Sequence, residues 1–403
     1  MSNTSFLSNN LKNIKPSVVS VIGAKVKELR SKDHDVIDLG IGEPDFDTPN
    51  NAKEAAIAAI TDNHTHYPPI PGLDILKHAI IEKFKRENNL LYNKEHIIAG
   101  TGAKQIIFNA LYSTINKDDE VLIPTPYWVS YPEMVKVVGG VPVFVKCEDD
   151  FSISIDDLKA KITNKTKWIL LNSPNNPSGY CFSQENIEQI GALLKDHPNI
   201  LILSDDIYEH LIYDDHIFFN IANICPELLD RILIVNGVSK AYAMTGWRIG
   251  YGASKNITLI KAMTSLQSHS TSGACSIAQH AAAEALGGPQ SSVAIMRMSF
   301  CDRRNYVMDL IKKDVTRISF QCPHGAFYLF LNISDAIGKI GKNDFHITNS
   351  VSFAEYLLDN FYLAVVPGEA FGLDKYIRIS FATNKEILKE AISRLKEAFL
   401  TIK

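Results

Sequence analysis

Short apolar runs alternate with helical patterns through the middle of this 403-residue chain, and this alternation limits the fold more than any other feature. Consecutive strands that are joined by helices lie parallel in one sheet. The run 232–235 is apolar at every position, which is typical of a strand buried on both faces. The sequence therefore predicts an α/β fold with a mainly parallel sheet flanked by helices, and places strands at 120–123, 141–145, 168–171, 200–203 and 232–235.

The pattern changes after about residue 285. A long helical stretch runs through Arg303, strand-like runs follow at 326–331 and 376–381, and an amphipathic helix begins at Lys385. This mixture indicates a second, smaller α+β domain.

Lys240 lies just past the predicted strand 231–236, among small residues, and Arg248 follows eight positions later. Open α/β sheets bind their ligands at the carboxyl ends of strands. A lysine amine at such a place can form an imine with an aldehyde, and a guanidinium group can neutralise a phosphate ester. Pyridoxal phosphate (PLP) carries both groups, so this pair of residues predicts a PLP site.

The Lys240 segment and four further blocks resemble class I aminotransferases, in order and in approximate spacing. The other blocks are Gly42-Glu-Pro-Asp-Phe46, Pro126-Tyr-Trp-Val-Ser-Tyr131, Asn172-Ser-Pro-Asn-Asn-Pro177 and Tyr376-Ile-Arg-Ile-Ser380. The chain is most similar to the bacterial aspartate aminotransferase subgroup, some members of which also transaminate prephenate. The resemblance implies the PLP-dependent transferase fold of the aspartate aminotransferase type.

The resemblance also implies how the domains are arranged. In this family the amino-terminal segment joins the carboxy-terminal part of the chain. We therefore expect a large PLP-binding domain at 46–284 and a discontinuous small domain made of 1–45 and 285–403. The active unit is expected to be a homodimer with shared active sites, in which Tyr67 reaches the phosphate held by the neighbouring subunit.

Several residues are predicted to bind the cofactor. Lys240 would hold PLP and act as the base that moves the substrate Cα proton, and Arg248 would bind the phosphate. The glycine-containing helix start at Gly102, Ala103 and Lys104 would offer backbone N–H groups to the same phosphate. The resemblance adds Ser239, Trp128 as the aromatic that stacks on the cofactor ring, and Tyr208 and Asn176 at the ring oxygen O3′.

Asp205 follows a predicted strand, where a carboxylate can pair with the pyridine nitrogen and keep it protonated. Without that proton the ring is a poor electron sink. Asp206 competes for this role, and the resemblance assigns it to Asp205.

Arg378 is a lone charge in a strand-like apolar run, which is costly unless the charge is paired, and a substrate α-carboxylate is a natural partner. By resemblance Gly42 adds a backbone contact to that carboxylate, and Trp128 and Asn176 also line the substrate site. The side-chain carboxylate of an acidic substrate needs a further cation. The candidates are Lys104 and Lys15, and in the related subgroup the lysine matching Lys15 is also associated with prephenate.

The composition excludes several other classes of protein. A net charge of −4, with 46% hydrophobic and 21% charged residues, is typical of a globular domain and gives no nucleic-acid surface. The first 13 residues lack the apolar core of a signal peptide, so we expect a cytoplasmic protein without membrane partners. The six cysteines include no CxxC pair, which predicts neither a zinc site nor a disulfide framework, and no metal is expected.

The leading hypothesis is an aspartate aminotransferase that passes the amino group of L-aspartate to 2-oxoglutarate, with prephenate as a further acceptor that the resemblance allows. A second hypothesis keeps PLP but makes the enzyme an aromatic or neutral amino-acid aminotransferase, or a β-lyase, because one fold serves all of these. A third is a non-catalytic PLP-sensing regulator. It would need an added basic DNA-binding segment, for which we expect no room before Lys15.

Overall fold

The structure is a computed structural model that describes Ser8, Leu11, Ile14 and residues 16–403. These described residues contain fifteen β-strands. In chain order the strands are β1 Ile37–Asp38, β2 Ile97–Gly100, β3 Glu120–Pro124, β4 Val141–Val145, β5 Thr166–Asn172, β6 Leu201–Asp205, β7 Ile232–Gly237, β8 Gly250–Ala253, β9 Ser319–Phe320, β10 Tyr328–Asn332, β11 Lys339–Ile340, β12 His346–Ile347, β13 Leu363–Ala364, β14 Val366–Pro367 and β15 Tyr376–Ser380.

The same described residues form thirteen α-helices. They are α1 Val18–Arg30, α2 Asn50–Thr61, α3 Asp74–Asn88, α4 Ala103–Thr114, α5 Ser130–Val137, α6 Ile155–Lys161, α7 Gln184–Lys195, α8 Ile221–Ile224, α9 Ile257–Ser270, α10 Ser276–Gly287, α11 Ser291–Asp314, α12 Ser350–Phe361 and α13 Lys385–Thr401. No helix among them is long and apolar enough to cross a membrane.

The main sheet has the strand order β2-β8-β7-β6-β5-β3-β4. Neighbouring strands are parallel, except that β8 runs antiparallel to both β2 and β7. The five runs predicted as strands correspond to β3, β4, β5, β6 and β7. The predicted α/β fold with a mainly parallel sheet is therefore confirmed.

Helices cover both faces of this sheet. In β7, Ile232 and Ile234 belong to a core that includes α3, α7 and α10, whereas Leu233 and Val235 belong to a second core that includes α4, α5 and α9. Because successive side chains of a strand point to opposite faces, every residue of such a strand is buried. This double coverage explains why the strands are apolar at each position.

β8 has no apolar run to reveal it, because its sequence is Gly-Tyr-Gly-Ala. Its glycines have a packing role. A Cβ atom on Gly250 would collide with the backbone of Ala103, and one on Gly252 would lie 2.8 Å from the side chain of Ile106. The two glycines therefore let the first turn of α4 lie directly against the sheet.

A second, antiparallel sheet has the order β14-β15-β10-β9 and shares a separate core with α11 and α13. The amino-terminal β1 lies parallel to β13, with Ile37 beside Leu363. The beginning of the described chain is thus next to its carboxy-terminal part. The domain boundaries at 46–284 and at 1–45 with 285–403 stay a prediction.

Candidate active site

A cavity of about 510 Å³ lies where β5, β6 and β7 end. Its wall also includes residues of α1, α4, β10 and β15, so segments that are far apart in the sequence meet there. The predicted site residues that line this cavity are Gly42, Ala103, Lys104, Trp128, Asn176, Asp205, Tyr208, Ser239, Lys240, Arg248 and Arg378.

Three predicted site residues are not among those that line the cavity. Gly102 immediately precedes α4 and lies against the guanidinium group of Arg248. Tyr67 is 96% exposed and lies away from the cavity of its own chain. Lys15 falls outside the described residues. The predicted contact of Tyr67 with a neighbouring subunit stays a prediction.

Lys240 follows the end of β7 by three residues and places its amine inside the cavity wall. Its Nζ atom donates a hydrogen bond of 2.5 Å to the carbonyl oxygen of Gly42. Burial lowers the pKa of Lys240 to about 8, and the positive charges of Arg378 and Arg248 act in the same direction. A fraction of this amine is therefore unprotonated near neutral pH, as a nucleophile or a base requires.

Asp205 is the last residue of β6, and its carboxyl group faces the cavity. The hydroxyl of Tyr131 donates a hydrogen bond of 2.6 Å to its Oδ2 atom. Burial raises the pKa of Asp205 to about 6, against the opposing effects of the Tyr131 hydrogen bond, the Ile207 backbone N–H and the charge of Lys240. At neutral pH most of this carboxyl group is ionised and can hold a proton-bearing nitrogen.

Asp206 turns away from the cavity. Its carboxylate accepts hydrogen bonds from Ser204, at 2.6 Å, and from the side chain of Asn220. Burial and the neighbouring charge of Glu209 raise the pKa of Asp206 well above its ordinary value. Of the two neighbouring acids, only Asp205 is in a position to meet a ligand in this cavity.

An anion cradle lies at the start of α4. Arg248 donates to the carbonyl oxygens of Thr245, at 3.0 Å, and of Thr101, at 3.4 Å. Gly102 has a φ of +81°, and a Cβ atom there would collide with the Arg248 guanidinium group. The first amides of a helix have no partner within the helix and attract negative charge. A phosphate group would fit against Gly102, the Arg248 guanidinium group and the start of α4.

Arg378 in β15 is buried and forms no salt bridge with any described residue. It donates to Asn176 Oδ1 at 2.9 Å and to the Gly40 carbonyl oxygen at 2.7 Å, while its Nε atom has no hydrogen-bond partner. Its guanidinium carbon lies 4.3 Å from the centre of the Tyr328 ring. A buried cation without a matching carboxylate marks a binding position for an anion.

Lys104 and Trp128 form a second feature of the cavity wall. The Lys104 Nζ atom lies 4.8 Å from the Trp128 ring centre, at a distance suited to a cation–π contact. Burial and the nearby charge of Arg248 lower the pKa of Lys104. The Trp128 ring in turn meets Tyr131 edge to face, with 5.3 Å between the ring centres.

Sequence reasoning gave no role to two buried tyrosines of the wall, Tyr131 and Tyr328. Tyr131 lies in the first turn of α5, three residues after Trp128 and in the same sequence block, which could have drawn attention to it. Tyr328 reaches the cavity through the pairing of β10 with β15, which puts it diagonally beside Arg378. No short-range pattern indicates that pairing.

The chain belongs to the aminotransferase class I and II family, because residues 34–395 match the model of that family. Membership implies dependence on PLP, as the Lys240 segment predicted. The family and the transferase fold expected from the sequence are confirmed.

Relatives with similar sequences cover almost the whole chain. The chain is 48% identical to a probable aspartate/prephenate aminotransferase of Rickettsia typhi, over 99% of this chain and 100% of the relative. It is also 48% identical to an aspartate/prephenate aminotransferase of Cereibacter sphaeroides, over 97% of this chain and 98% of that protein.

Two solved structures with similar folds are aspartate aminotransferases. The enzyme of Rhizobium meliloti is 43% identical, with a TM-score of 0.95 over 98% of this chain and 99% of that chain. The enzyme of Thermus thermophilus with maleate is 38% identical, with a TM-score of 0.90 over 97% of this chain and 99% of that chain.

Proposed function

We propose that this protein transfers the amino group of L-aspartate to 2-oxoglutarate, giving oxaloacetate and L-glutamate, and that prephenate serves as a further acceptor. The observation that carries the proposal is a buried amine with a pKa of about 8 in one cavity with an anion cradle and an unpaired buried guanidinium group. The names of the relatives support aspartate and prephenate as substrates.

The residues of the cavity fit PLP. Lys240 would hold its aldehyde carbon, while Arg248 and the amides at the start of α4 would bind its phosphate. The Asp205 carboxylate would accept a hydrogen bond from the protonated pyridine nitrogen and keep it protonated. Asn176 uses Oδ1 to accept from Arg378, so its amide nitrogen is the group that would donate to the ring oxygen, together with the hydroxyl of Tyr208. When bound, PLP supplies an electron sink for negative charge at the substrate Cα atom.

The side chains of the protein then divide the remaining work. Arg378 would bind the α-carboxylate that every amino-acid substrate carries, and its two-pronged geometry would orient the Cα–H bond. The Lys240 amine would take the proton from Cα and pass it to the C4′ carbon of the cofactor, and it would carry out the reverse transfer with the acceptor oxo acid in the second half of the cycle. A base with a pKa near 8 is well matched to proton transfer near neutral pH.

The preference for an acidic substrate is supported by elimination. Among the described residues that line the cavity, the cations are Lys104, Lys240, Arg248 and Arg378. The last three are assigned to the aldehyde, the phosphate and the α-carboxylate, which leaves Lys104 for a distal carboxylate. Maleate, named with the Thermus thermophilus enzyme, is a dicarboxylate of the same carbon number as aspartate.

A comparison of amino-acid donors and oxo-acid acceptors tests this proposal. Aspartate, phenylalanine and alanine are compared as donors, and 2-oxoglutarate and prephenate as acceptors, for the native protein and for Lys104→Ala and Lys15→Ala. We expect aspartate to be the best donor, and Lys104→Ala to weaken acidic substrates about tenfold more than phenylalanine. A native preference for phenylalanine or alanine would favour the aromatic or neutral aminotransferase and refute the assignment to aspartate.

A homodimer with shared sites is part of the proposal, and it is supported by Tyr67, which is 96% exposed and does not line the cavity of its own chain, so that its hydroxyl is available to a second copy. Mixing the inactive Lys240→Ala protein with a weakened Tyr67→Phe protein tests it. A shared site predicts recovered activity, since one site of the mixed dimer then has both native residues. No recovery after subunit exchange, followed with differently tagged chains, would refute the shared site.

A further inference from the structure

Tyr328 lies where two functions of the cavity meet. It is the first residue of β10 and is buried, with 1% of its surface exposed. Its hydroxyl lies 2.9 Å from the hydroxyl of Tyr208, and its ring faces the Arg378 guanidinium group at 4.3 Å. One side chain therefore contacts both the residue assigned to the cofactor's ring oxygen and the residue assigned to the substrate carboxylate.

The two hydroxyls share one hydrogen bond, so one phenol donates and the other accepts. Burial raises the pKa of both phenols, and it raises that of Tyr208 well above the ordinary value. The positive charge of Arg378 opposes the rise in pKa at both phenols. A Tyr208 hydroxyl that donates to the ring oxygen of PLP has no second proton to donate, so it can only accept from Tyr328, and Tyr328 is then the donor of the pair.

The surroundings keep this pair in place. The Tyr208 ring meets Phe327 and Tyr328 edge to face, with ring centres at 5.5 and 6.0 Å. A Cβ atom on Gly42 would lie 3.1 Å from the Tyr328 hydroxyl, so the glycine leaves space for that oxygen. When Tyr208 accepts from Tyr328, its own proton is free for a different acceptor in the cavity.

We propose that Tyr328 is a positioning residue, which donates to Tyr208 and thereby directs the Tyr208 hydroxyl proton at the ring oxygen of PLP. This inference rests on the proposed function. In a buried chain of hydrogen bonds each bond strengthens the next, so the Tyr328 hydroxyl makes Tyr208 a stronger donor. Because its ring also lies against Arg378, Tyr328 joins the carboxylate position to the cofactor position.

The test is a pH titration of the visible absorbance of the PLP-loaded protein, a readout that does not depend on turnover. Tyr328→Phe removes the hydroxyl and keeps the ring against Arg378. A hydrogen bond to the ionised ring oxygen lowers the pH midpoint of the absorbance change, so we expect Tyr328→Phe to raise this midpoint by about half a pH unit. In the Tyr208→Phe background the same substitution should cause no further shift.

Tyr213→Phe is the matched control. Tyr213 is a buried tyrosine of the same hydrophobic core, its hydroxyl donates to the Ala326 carbonyl oxygen, and it does not line the cavity. Loss of this hydroxyl should leave the midpoint unchanged. Thermal unfolding of each apoprotein shows whether the variants fold. If Tyr328→Phe does not fold, 3-fluorotyrosine at position 328 replaces it, since a more acidic phenol should lower the midpoint.

Two outcomes would overturn the inference while the proposed function stands. One is a pH midpoint of the absorbance change that stays at its native value both in Tyr328→Phe and with 3-fluorotyrosine at position 328. The other is a shift of equal size in the Tyr208→Phe background, because Tyr328 would then act without Tyr208. If the native protein forms no absorbance band with PLP, or if borohydride fixes PLP at a residue other than Lys240, the proposed function fails and the inference fails with it.

Discussion

Lys83 is fully buried and Lys240 is half-buried, and the two lysines lie in very different polar surroundings. Lys83 belongs to a cluster that also contains Asn88, Glu209 and Asn236, which we call the Lys83 cluster. Its amine donates to Glu209 and, at 2.8 Å, to Asn88, while Asn88 and Asn236 donate to the same carboxylate. Lys240, by contrast, has a backbone carbonyl oxygen as its hydrogen-bond acceptor and no carboxylate in salt-bridge contact among the described residues.

The difference distinguishes a structural charge, which is matched within the protein, from a functional charge, which a ligand matches. In the Lys83 cluster the attraction of Lys83 and His210 lowers the pKa of Glu209 although burial works against it, so charge is matched within the protein. In the cavity, burial lowers the pKa of Lys240 and Arg378 keeps an unpartnered Nε atom. A folded chain leaves such groups unmatched where a ligand completes them.

The largest effect expected is on turnover after Lys240→Ala. Without the amine the Cα proton has no base, and the rate should fall by about 10⁴-fold. The melting temperature of the apoprotein should stay the same or rise, because a poorly compensated buried amine is removed. Initial rates and thermal unfolding check this prediction. Turnover close to native would contradict the role of Lys240, and borohydride labelling of the native protein provides the positive control.

Lys83→Met should lower the stability of the protein and leave its turnover unchanged, which is the opposite of the effect expected for Lys240→Ala. Glu209 would remain buried and ionised without its main partner, and loss of one partner of a buried ion pair costs about 3–5 kcal/mol. The unfolding midpoint should fall, while the folded fraction keeps native values of kcat and KM. A stable Lys83→Met protein with lowered kcat would mean that the Lys83 cluster takes part in the chemistry, and the comparison of the two lysines would then be wrong.

The adjacent residues Asp205 and Asp206 show the same contrast between a functional and a structural acid. Asp205→Asn removes the charge that would hold the pyridine proton, and we expect a loss of about 10²–10³-fold in kcat. Asp206→Asn should cost less than about tenfold, because burial and Glu209 already favour the uncharged form of Asp206. Steady-state rates at pH 7.5 decide the order, and the reverse order would transfer the role to Asp206.

The sequence predicts the parts of this site that local patterns carry. Apolar runs locate β5, β6 and β7, and the carboxyl ends of β6 and β7 bring Asp205 and Lys240 to one edge of the sheet. The spacing from Lys240 adds Arg248, and the lone charge in an apolar run adds Arg378. The sequence could not reveal β8, whose glycines are explained only by the approach of α4, nor the place of Tyr328, which depends on strand pairing over long separations. Such contacts are set by tertiary packing.

Tyr131→Phe is expected to have the smallest effect, and it tests how the cavity keeps Asp205 charged. The Tyr131 hydroxyl donates to the Asp205 carboxylate, which favours the ionised form and opposes the rise caused by burial. Removal of a hydrogen bond to a buried charge should therefore raise the pKa of Asp205 from about 6 by about one unit.

The measurement is the affinity of the apoprotein for PLP as a function of pH. Affinity should weaken as pH falls through the pKa of Asp205, because the protonated carboxyl group has lost the negative charge that holds the protonated pyridine nitrogen, and Tyr131→Phe should shift this loss toward neutral pH. PLP titrates identically in both experiments, so the difference between the curves belongs to the protein. Coincident curves for Tyr131→Phe, the native protein and the Tyr213→Phe control would mean that Asp205 keeps its charge without Tyr131, by means of the Ile207 backbone N–H and the charge of Lys240 alone.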